Sequence, residues 1–271
     1  MIKNTSTRML RATLCSAALL LASTTAIAGP IPVATYLFNG NLNAEEAGVA
    51  SLSAIDPLGL NHFRTENVFG TNQTVYRFDG NKSPVAQQAG LVLDTGGLLD
   101  GDDSYSVDIT FRFDNNSSSW ESIFGVSNRQ SDNGFYVSPT GPLQVYPSSL
   151  GPDNVTQDEW HRVTLTNNGS TVVGYLDGIF QFDLVSPSMN FSSYTGANPD
   201  RLIHFFVDNV AGGGQGEFAD GSVSLIRLYD IELTGGEVET LPVPGPATFL
   251  LMLTGLFAGL LTGHRRRNQL A

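Results

Sequence analysis

Residues 104–113 alternate without a break. Tyr105, Val107, Ile109, Phe111 and Phe113 fall on one side of an extended chain, and Ser106, Asp108, Thr110 and Arg112 on the other. Successive side chains of a strand point to opposite faces, so this pattern predicts a strand with one face in a core and the other toward water. No run between residues 29 and 241 carries the apolar spacing of a long helix. Short strand-like runs recur instead at 33–38, 75–78, 122–126, 134–137, 160–166, 171–176, 179–184, 202–207 and 222–229. Turn residues separate them, among them Asn39-Gly40, Asp79-Gly80, Asn168-Gly169 and Asp177-Gly178. Many short strands with frequent turns predict an all-β fold of two antiparallel sheets, and the lack of a fixed-period repeat argues against a propeller or solenoid.

The two ends read differently. Residues 1–28 carry Lys3, Arg8 and Arg11, an apolar stretch at 17–22, and Ala26-Ile27-Ala28 before Gly29. That is the pattern of a secretory signal peptide cleaved between Ala28 and Gly29. Residues 247–263 are uncharged and apolar, and about 17 residues is near the lower limit for crossing a ~30 Å hydrocarbon core. His264, Arg265, Arg266 and Arg267 follow as a basic stop, which the positive-inside rule places in the cytoplasm with the rest of the chain outside. The expectation is an exported protein with a transmembrane helix at 247–263. Between the ends lie about 213 residues, 29–241, enough for one large sandwich domain.

The only cysteine, Cys15, lies in the leader, so the body has no disulfide and must be held by packing, with or without a metal ion. All 26 acidic residues fall in the body but fewer than two-thirds of the 14 basic ones. The resulting charge of about −18 argues against nucleic acid or an anionic membrane surface as partner. It suits solubility, divalent cations and neutral glycans.

Several segments resemble laminin G-like, concanavalin A-type domains, in the family's order. They are Tyr36-Leu37-Phe38-Asn39-Gly40, Tyr76-Arg77-Phe78-Asp79-Gly80, and the strand at 104–113. Glu159-Trp160-His161-Arg162-Val163 with Gly174-Tyr175-Leu176-Asp177-Gly178 is the closest match, and Ser224-Leu225-Ile226-Arg227-Leu228-Tyr229 resembles the closing strand. The resemblance implies a jelly-roll sandwich, and a calcium ion at its rim is common among such domains. In the residues themselves, Trp160 and Tyr175 read as core, Asp177-Gly178 as a turn, and His161 as a strand residue beside the core.

The segment 242–271 is similar to the PEP-CTERM sorting signal of Gram-negative bacteria that make exopolysaccharide. Val243, Pro244, Gly245 and Pro246 hold the motif's place, with Gly245 where glutamate is usual, and the span and arginines follow. The resemblance implies an exosortase-type processing enzyme as partner and a destination at the cell surface or in the extracellular matrix. The alternative is a permanent membrane anchor.

Catalytic patterns are missing. A large hydrolase family of this fold carries Glu-x-Asp-x-x-Glu on one strand, placing two carboxylates on one face. Nothing here matches it: Glu45 and Glu46 are adjacent, and Glu237 and Glu239 are expected in the linker after the last strand. There is no Gly-x-Ser-x-Gly elbow, and His62, His161 and His204 lie far apart. Three acidic loops offer oxygens to a calcium ion: Asp100-Gly101-Asp102-Asp103, Asp208-Asn209 at the start of a glycine-rich loop, and Asp220-Gly221. Spacing assigns no individual ligands. The expected function is a non-catalytic surface or matrix protein binding an exopolysaccharide or another surface protein through rim loops. A glycan hydrolase or lyase with an unrecognised site, and a purely structural matrix component, are the alternatives.

Overall fold

The computed structural model describes residues 29–81, 83–99, 103–115, 119–211 and 215–242. The leader with Ala28, the motif Val243, Pro244, Gly245 and Pro246, the apolar span 247–263 and the stop Arg265, Arg266 and Arg267 lie outside the described residues. Among the described residues, no helix is long and apolar enough to cross a membrane. Gly29 is exposed at the start of the described chain.

The chain runs through β1 (Ala34–Tyr36), β2 (Ser53–Ile55), β3 (His62–Val68), β4 (Thr71–Phe78) and β5 (Gly90–Asp94). Next come β6 (Ser104–Phe113), β7 (Glu121–Gly125), β8 (Phe135–Val137), β9 (Pro142–Val145) and β10 (Ser148–Asn154). Then follow β11 (His161–Asn168), β12 (Thr171–Leu176), β13 (Ile179–Val185), β14 (Leu202–Phe205), β15 (Gly221–Tyr229) and a short helix, α1 (Gly235–Thr240). The larger sheet has the order β13-β12-β11-β6-β15-β4-β3, with β1 also paired to β15. The smaller has the order β10-β9-β8-β7-β14-β5-β2. Neighbouring strands are antiparallel throughout, and the result is a jelly-roll-like sandwich.

The inner faces meet in one apolar core. The larger sheet contributes Phe78, Tyr105, Val107, Ile109, Phe111 and Phe113, and the smaller Leu91, Leu93, Phe135, Val145, Ile203 and Phe205. Phe78 and Phe206 stack with centroids 4.1 Å apart. Each such side chain contributes about 1.5–3 kcal/mol by leaving water. In β15 a register shift between Val223 and Leu225 turns both Val223 and Ile226 into the core although they are three apart, as a bulge allows. At Gly221 a Cβ would lie 2.2 Å from the carbonyl oxygen of Arg112, so only glycine lets β15 begin this close to β6.

Ser104–Phe113 is one strand, as its alternation predicts, but it is not half-exposed. Ser106, Asp108 and Thr110 are all 0 % exposed. The chain after β15 folds back over this outer face. Leu233, Val238 and Leu241 close over Tyr175 and Tyr229 in a second apolar cluster, which is where the expected core residue Tyr175 sits. Glu237 is therefore not in an open linker. It completes a capping box with Thr234 at the start of α1, its side chain accepting from the Thr234 backbone. Burying these polar residues requires partners for each. Arg162 donates to the carbonyls of Leu241 and Val238 at 2.6 and 2.9 Å, and Arg227 to that of Pro242 at 2.8 Å.

β2, β3, β5, β9 and β10 are not among the sequence-predicted strands. His62–Val68 reads polar because it is the edge strand of the larger sheet, where burial is partial. The 142–154 segment carries Pro142, Pro147, Gly151 and Pro152, which disguise an edge hairpin.

Candidate binding site

On the outer face of the smaller sheet three aromatic rings meet. Tyr136 occupies the middle of β8, where alternation turns it outward while Phe135 and Val137 face the core. Trp120 directly precedes β7, and Tyr146 directly follows β9. Their rings are edge-on to one another: Trp120–Tyr146 centroids are 5.4 Å apart, Trp120–Tyr136 6.1 Å and Tyr136–Tyr146 6.5 Å. With Asp132 and Glu217 they line a recess of about 200 Å³. Trp120 and Tyr146 are half-buried, so part of each ring faces the opening.

Beneath the recess lies a carboxylate cluster. Asp132, Asp208 and Glu217 each place an oxygen within 4.8 Å of the others. Asp132 comes from the loop between β7 and β8, whereas Asp208 and Glu217 come from the two ends of the loop between β14 and β15. Asp208 is 1 % exposed. Its Oδ2 accepts from the backbone N–H groups of Gly216 and Glu217 at 2.7 and 3.1 Å, whereas its Oδ1 is buried without a hydrogen-bond partner. Burial, and then the adjacent Glu217, push the Asp208 carboxyl up to about 8. Burial and Glu217 also raise that of Asp132. Arg129 is the neighbouring cation; its Nε donates to the backbone oxygen of Asp208 at 2.5 Å.

Among the described residues of the three acidic loops suggested by the sequence, only Asp208 joins other carboxylates. Asp220 accepts the backbone N–H of Gly80, and Asp103 that of Ser192, while Asp100 and Asp102 lie outside the described residues. The partners of Asp208 in the cluster, Asp132 and Glu217, carry no local signal, being isolated acids in separate loops. The histidines do not gather. His62 is exposed on β3, and His204 is buried on β14 in the other sheet. His161 lies on β11 with Nδ1 2.8 Å from Asp177 Oδ2, and its Nε2 accepts the N–H of Thr156, so it holds a turn in place. Trp160 is not core: it is half-buried at an open groove with Arg64, Glu66 and Arg112 on the larger sheet.

No family model matches this chain, and no curated protein does. Solved structures share its fold. Domain 4 of AbnA, a GH43 extracellular arabinanase from Geobacillus stearothermophilus, was solved in complex with arabinotriose. It superposes with a TM-score of 0.56 at 18% identity, over 78% of this chain and 98% of that one. The binding domain of botulinum neurotoxin serotype C1 gives 0.53 at 13% identity, over 78% of this chain and 51% of that one. A structure reported for botulinum neurotoxin type C, whose cell entry depends on interaction with two ganglioside molecules, gives 0.52 at 13%, over 79% and 50%. The chain thus spans about half of each neurotoxin structure. At these identities the likeness establishes the fold alone.

Proposed function

We propose that this protein is an exported glycan-binding module of the laminin G-like, concanavalin A-type class, acting at the cell surface or in the extracellular matrix. The observation that carries the reading is the recess at Trp120, Tyr136 and Tyr146. Aromatic faces pack against the C–H faces of a sugar ring, and the adjoining carboxylates of Asp132 and Glu217 accept hydrogen bonds from its hydroxyls. Two acids in the wall disfavour anionic sugars, so neutral oligosaccharides such as those of an exopolysaccharide are the preferred class. The arabinotriose held by domain 4 of the arabinanase and the gangliosides engaged by the neurotoxin support a glycan, at the level of shared fold. Export, processing by an exosortase-type enzyme and non-catalytic action rest on the two ends of the sequence and on the missing catalytic motifs.

Isothermal titration of the full-length protein, in a detergent without a sugar headgroup, with a panel of neutral oligosaccharides tests this. Binding that is lost in Trp120→Ala and Tyr146→Ala is expected; a blank panel would refute the assignment.

Glycan cleavage is the second reading, favoured by one distance. Asp132 and Glu217 bring oxygens within 4.8 Å at the recess, near the ~5–5.5 Å carboxyl spacing of retaining hydrolases. Against it, Asp208, the acid held protonated near neutral pH, is 1 % exposed and cannot reach a glycosidic oxygen. Release of reducing sugar that is lost in Glu217→Gln would establish cleavage.

A further inference from the structure

We propose that the cavity at the start of β7, with Glu121 in its wall, is a second binding site whose ligand carries a primary ammonium group on a hydroxyl-bearing scaffold, as an amino sugar with a free amine does. This site is separate from the aromatic recess and does not rest on it.

The placement of Glu121 follows from strand register. It pairs with Val137 of β8, which packs in the core, and so shares the inward face of the sheet, whereas Trp120 one residue earlier lines the recess on the outer face. At this first position of β7 the inward face meets a cavity of about 390 Å³. The turn between β8 and β9 forms one wall. Ser138 donates its N–H to the Pro142 oxygen and accepts that of Gly141, both at 2.9 Å, and its Oγ is 3.1 Å from Thr140 Oγ1. Gly141 has a φ of +104°, and a Cβ there would lie 2.8 Å from Cγ of Asn154, so glycine lets the turn close on the end of β10. A second wall, residues 154–157, is tied to the same turn by the Val155 N–H, which donates to the Gly141 oxygen at 2.9 Å. Walls fixed in this way need little reordering when a ligand enters.

The chemistry of the lining selects the ligand. Glu121 is 2 % exposed, and its Oε1 accepts from Gln157 Nε2 at 2.8 Å. Among the described residues it is the one charged group that lines the cavity; the other polar side chains there are hydroxyls and amides, such as Ser138, Thr140 and Asn154. No lysine, arginine or histidine is among them. His161, whose Nε2 accepts the N–H of Thr156, is engaged at Nδ1 by Asp177. A carboxylate buried without a cation is strongly disfavoured, and burial accordingly pushes the Glu121 carboxyl up to about 7. A ligand ammonium group supplies the missing positive charge together with several N–H donors. A neutral ligand would leave the charge uncompensated, and an anion would add to it. The surrounding hydroxyls and amides match the hydroxyls of a sugar, and the volume is that of an ordinary small-ligand site.

Isothermal titration of the full-length protein at neutral pH, in a detergent without a sugar headgroup, tests the site with three probes: a glucosamine disaccharide, its N-acetylated form and cellobiose. The free amine is expected to bind at least about tenfold more tightly than either neutral analogue, as a charge-assisted hydrogen bond predicts. The readout is this preference, so it is independent of whether neutral oligosaccharides bind at the recess. Glu121→Gln should remove the preference. Asn154→Lys should do the same, because it brings a competing ammonium group to the cavity. Asn154 is exposed, so its variant decides the matter should the other fail to fold. Equal affinities for the amine and the neutral analogues would overturn the proposal. So would a preference that survives Glu121→Gln. A preference lost in Asp132→Asn would likewise overturn it, by placing the amine on the acids of the recess.

Discussion

Arg227 grips Asp108 through two nitrogens, Nη2 at 2.7 Å and Nε at 3.1 Å, on a sheet face shut off from water. Strand register places them directly opposite each other, and Thr164 is opposite Asp108 on the other side, its Oγ1 donating at 2.7 Å. The row Thr164–Asp108–Arg227 thus crosses three strands. Arg227 also holds the Pro242 carbonyl, so this pair fixes the place where the chain leaves the sandwich.

Breaking this pair should be costly from either side. Arg227→Met leaves Asp108 at 0 % exposure with its charge uncompensated apart from Arg162, whose Nε is 3.8 Å away. Losing one partner of a buried pair costs about 3–5 kcal/mol. The double change Asp108→Leu with Arg227→Met removes both charges and should recover a large part of that loss. Urea denaturation of the two single variants and the double variant measures the coupling; additive losses would contradict the assignment.

The terminal strap should open on its own. Arg162 spans the end of α1, holding the Val238 and Leu241 carbonyls, and Val238 and Leu241 are the strap's apolar anchors. With Arg162→Ala the amides at 236–241 should exchange with deuterium at least about tenfold faster, while those of β6 remain slow, as expected for a local unit that opens before the core. Equal acceleration in β6 would show that Arg162 supports the whole sandwich instead.

Glu121 should set part of the pH dependence of stability. It is 2 % exposed, and burial pushes its carboxyl up to about 7, although Gln157 donates to it at 2.8 Å. The folded value lies above the unfolded one, so its contribution is complete below about pH 4.5 and is lost as the pH rises through 7. The loss approaches about 3 kcal/mol by pH 8, from ~1.4 kcal/mol per unit. Asp208 shifts in the same direction, so the comparison of interest is wild type against Glu121→Gln. The variant's advantage in urea midpoint should grow between pH 5 and 8; a constant offset would sink the idea.

How much of this could be read from the chain depended on whether the signal was local. Tyr105 to Phe113 announce their strand because every second residue enters the core. The same pattern misleads about Ser106 and Asp108, since alternation says which residues share a face and not what later covers it. Here the covering is Leu233, Val238 and Leu241, more than 120 positions on. The recess has no local signature at all. Trp120, Asp132, Tyr136, Tyr146 and Glu217 come from five places in the sequence; the first four converge through the pairing of β7, β8 and β9, and Glu217 is brought in by the β14–β15 loop, where its backbone oxygen accepts the N–H of Ser122. Asp208 alone had a cue, the acidic start of a glycine-rich loop.

The two tryptophans give a sharp discrimination, because they lie on opposite sheets. Trp120 precedes β7 in the smaller sheet and lines the recess; Trp160 precedes β11 in the larger sheet and lines the groove with Arg64 and Arg112. Both are half-buried, so both should fluoresce in response to a ligand on their own face. The groove at Trp160 is charged and open, with Glu66 already engaged by Arg64 and Arg112 at 2.7 and 3.3 Å. Both guanidinium groups of this groove are thus already paired with carboxylates. Fluorescence change on adding a bound oligosaccharide should therefore vanish in Trp120→Phe and persist in Trp160→Phe. Affinity should fall about tenfold or more in Trp120→Ala, the loss of ~1.4 kcal/mol or greater typical of an aromatic anchor. Trp160→Ala should bind as wild type does. The opposite result would move the glycan site to the larger sheet and leave the recess at Tyr136 without a ligand.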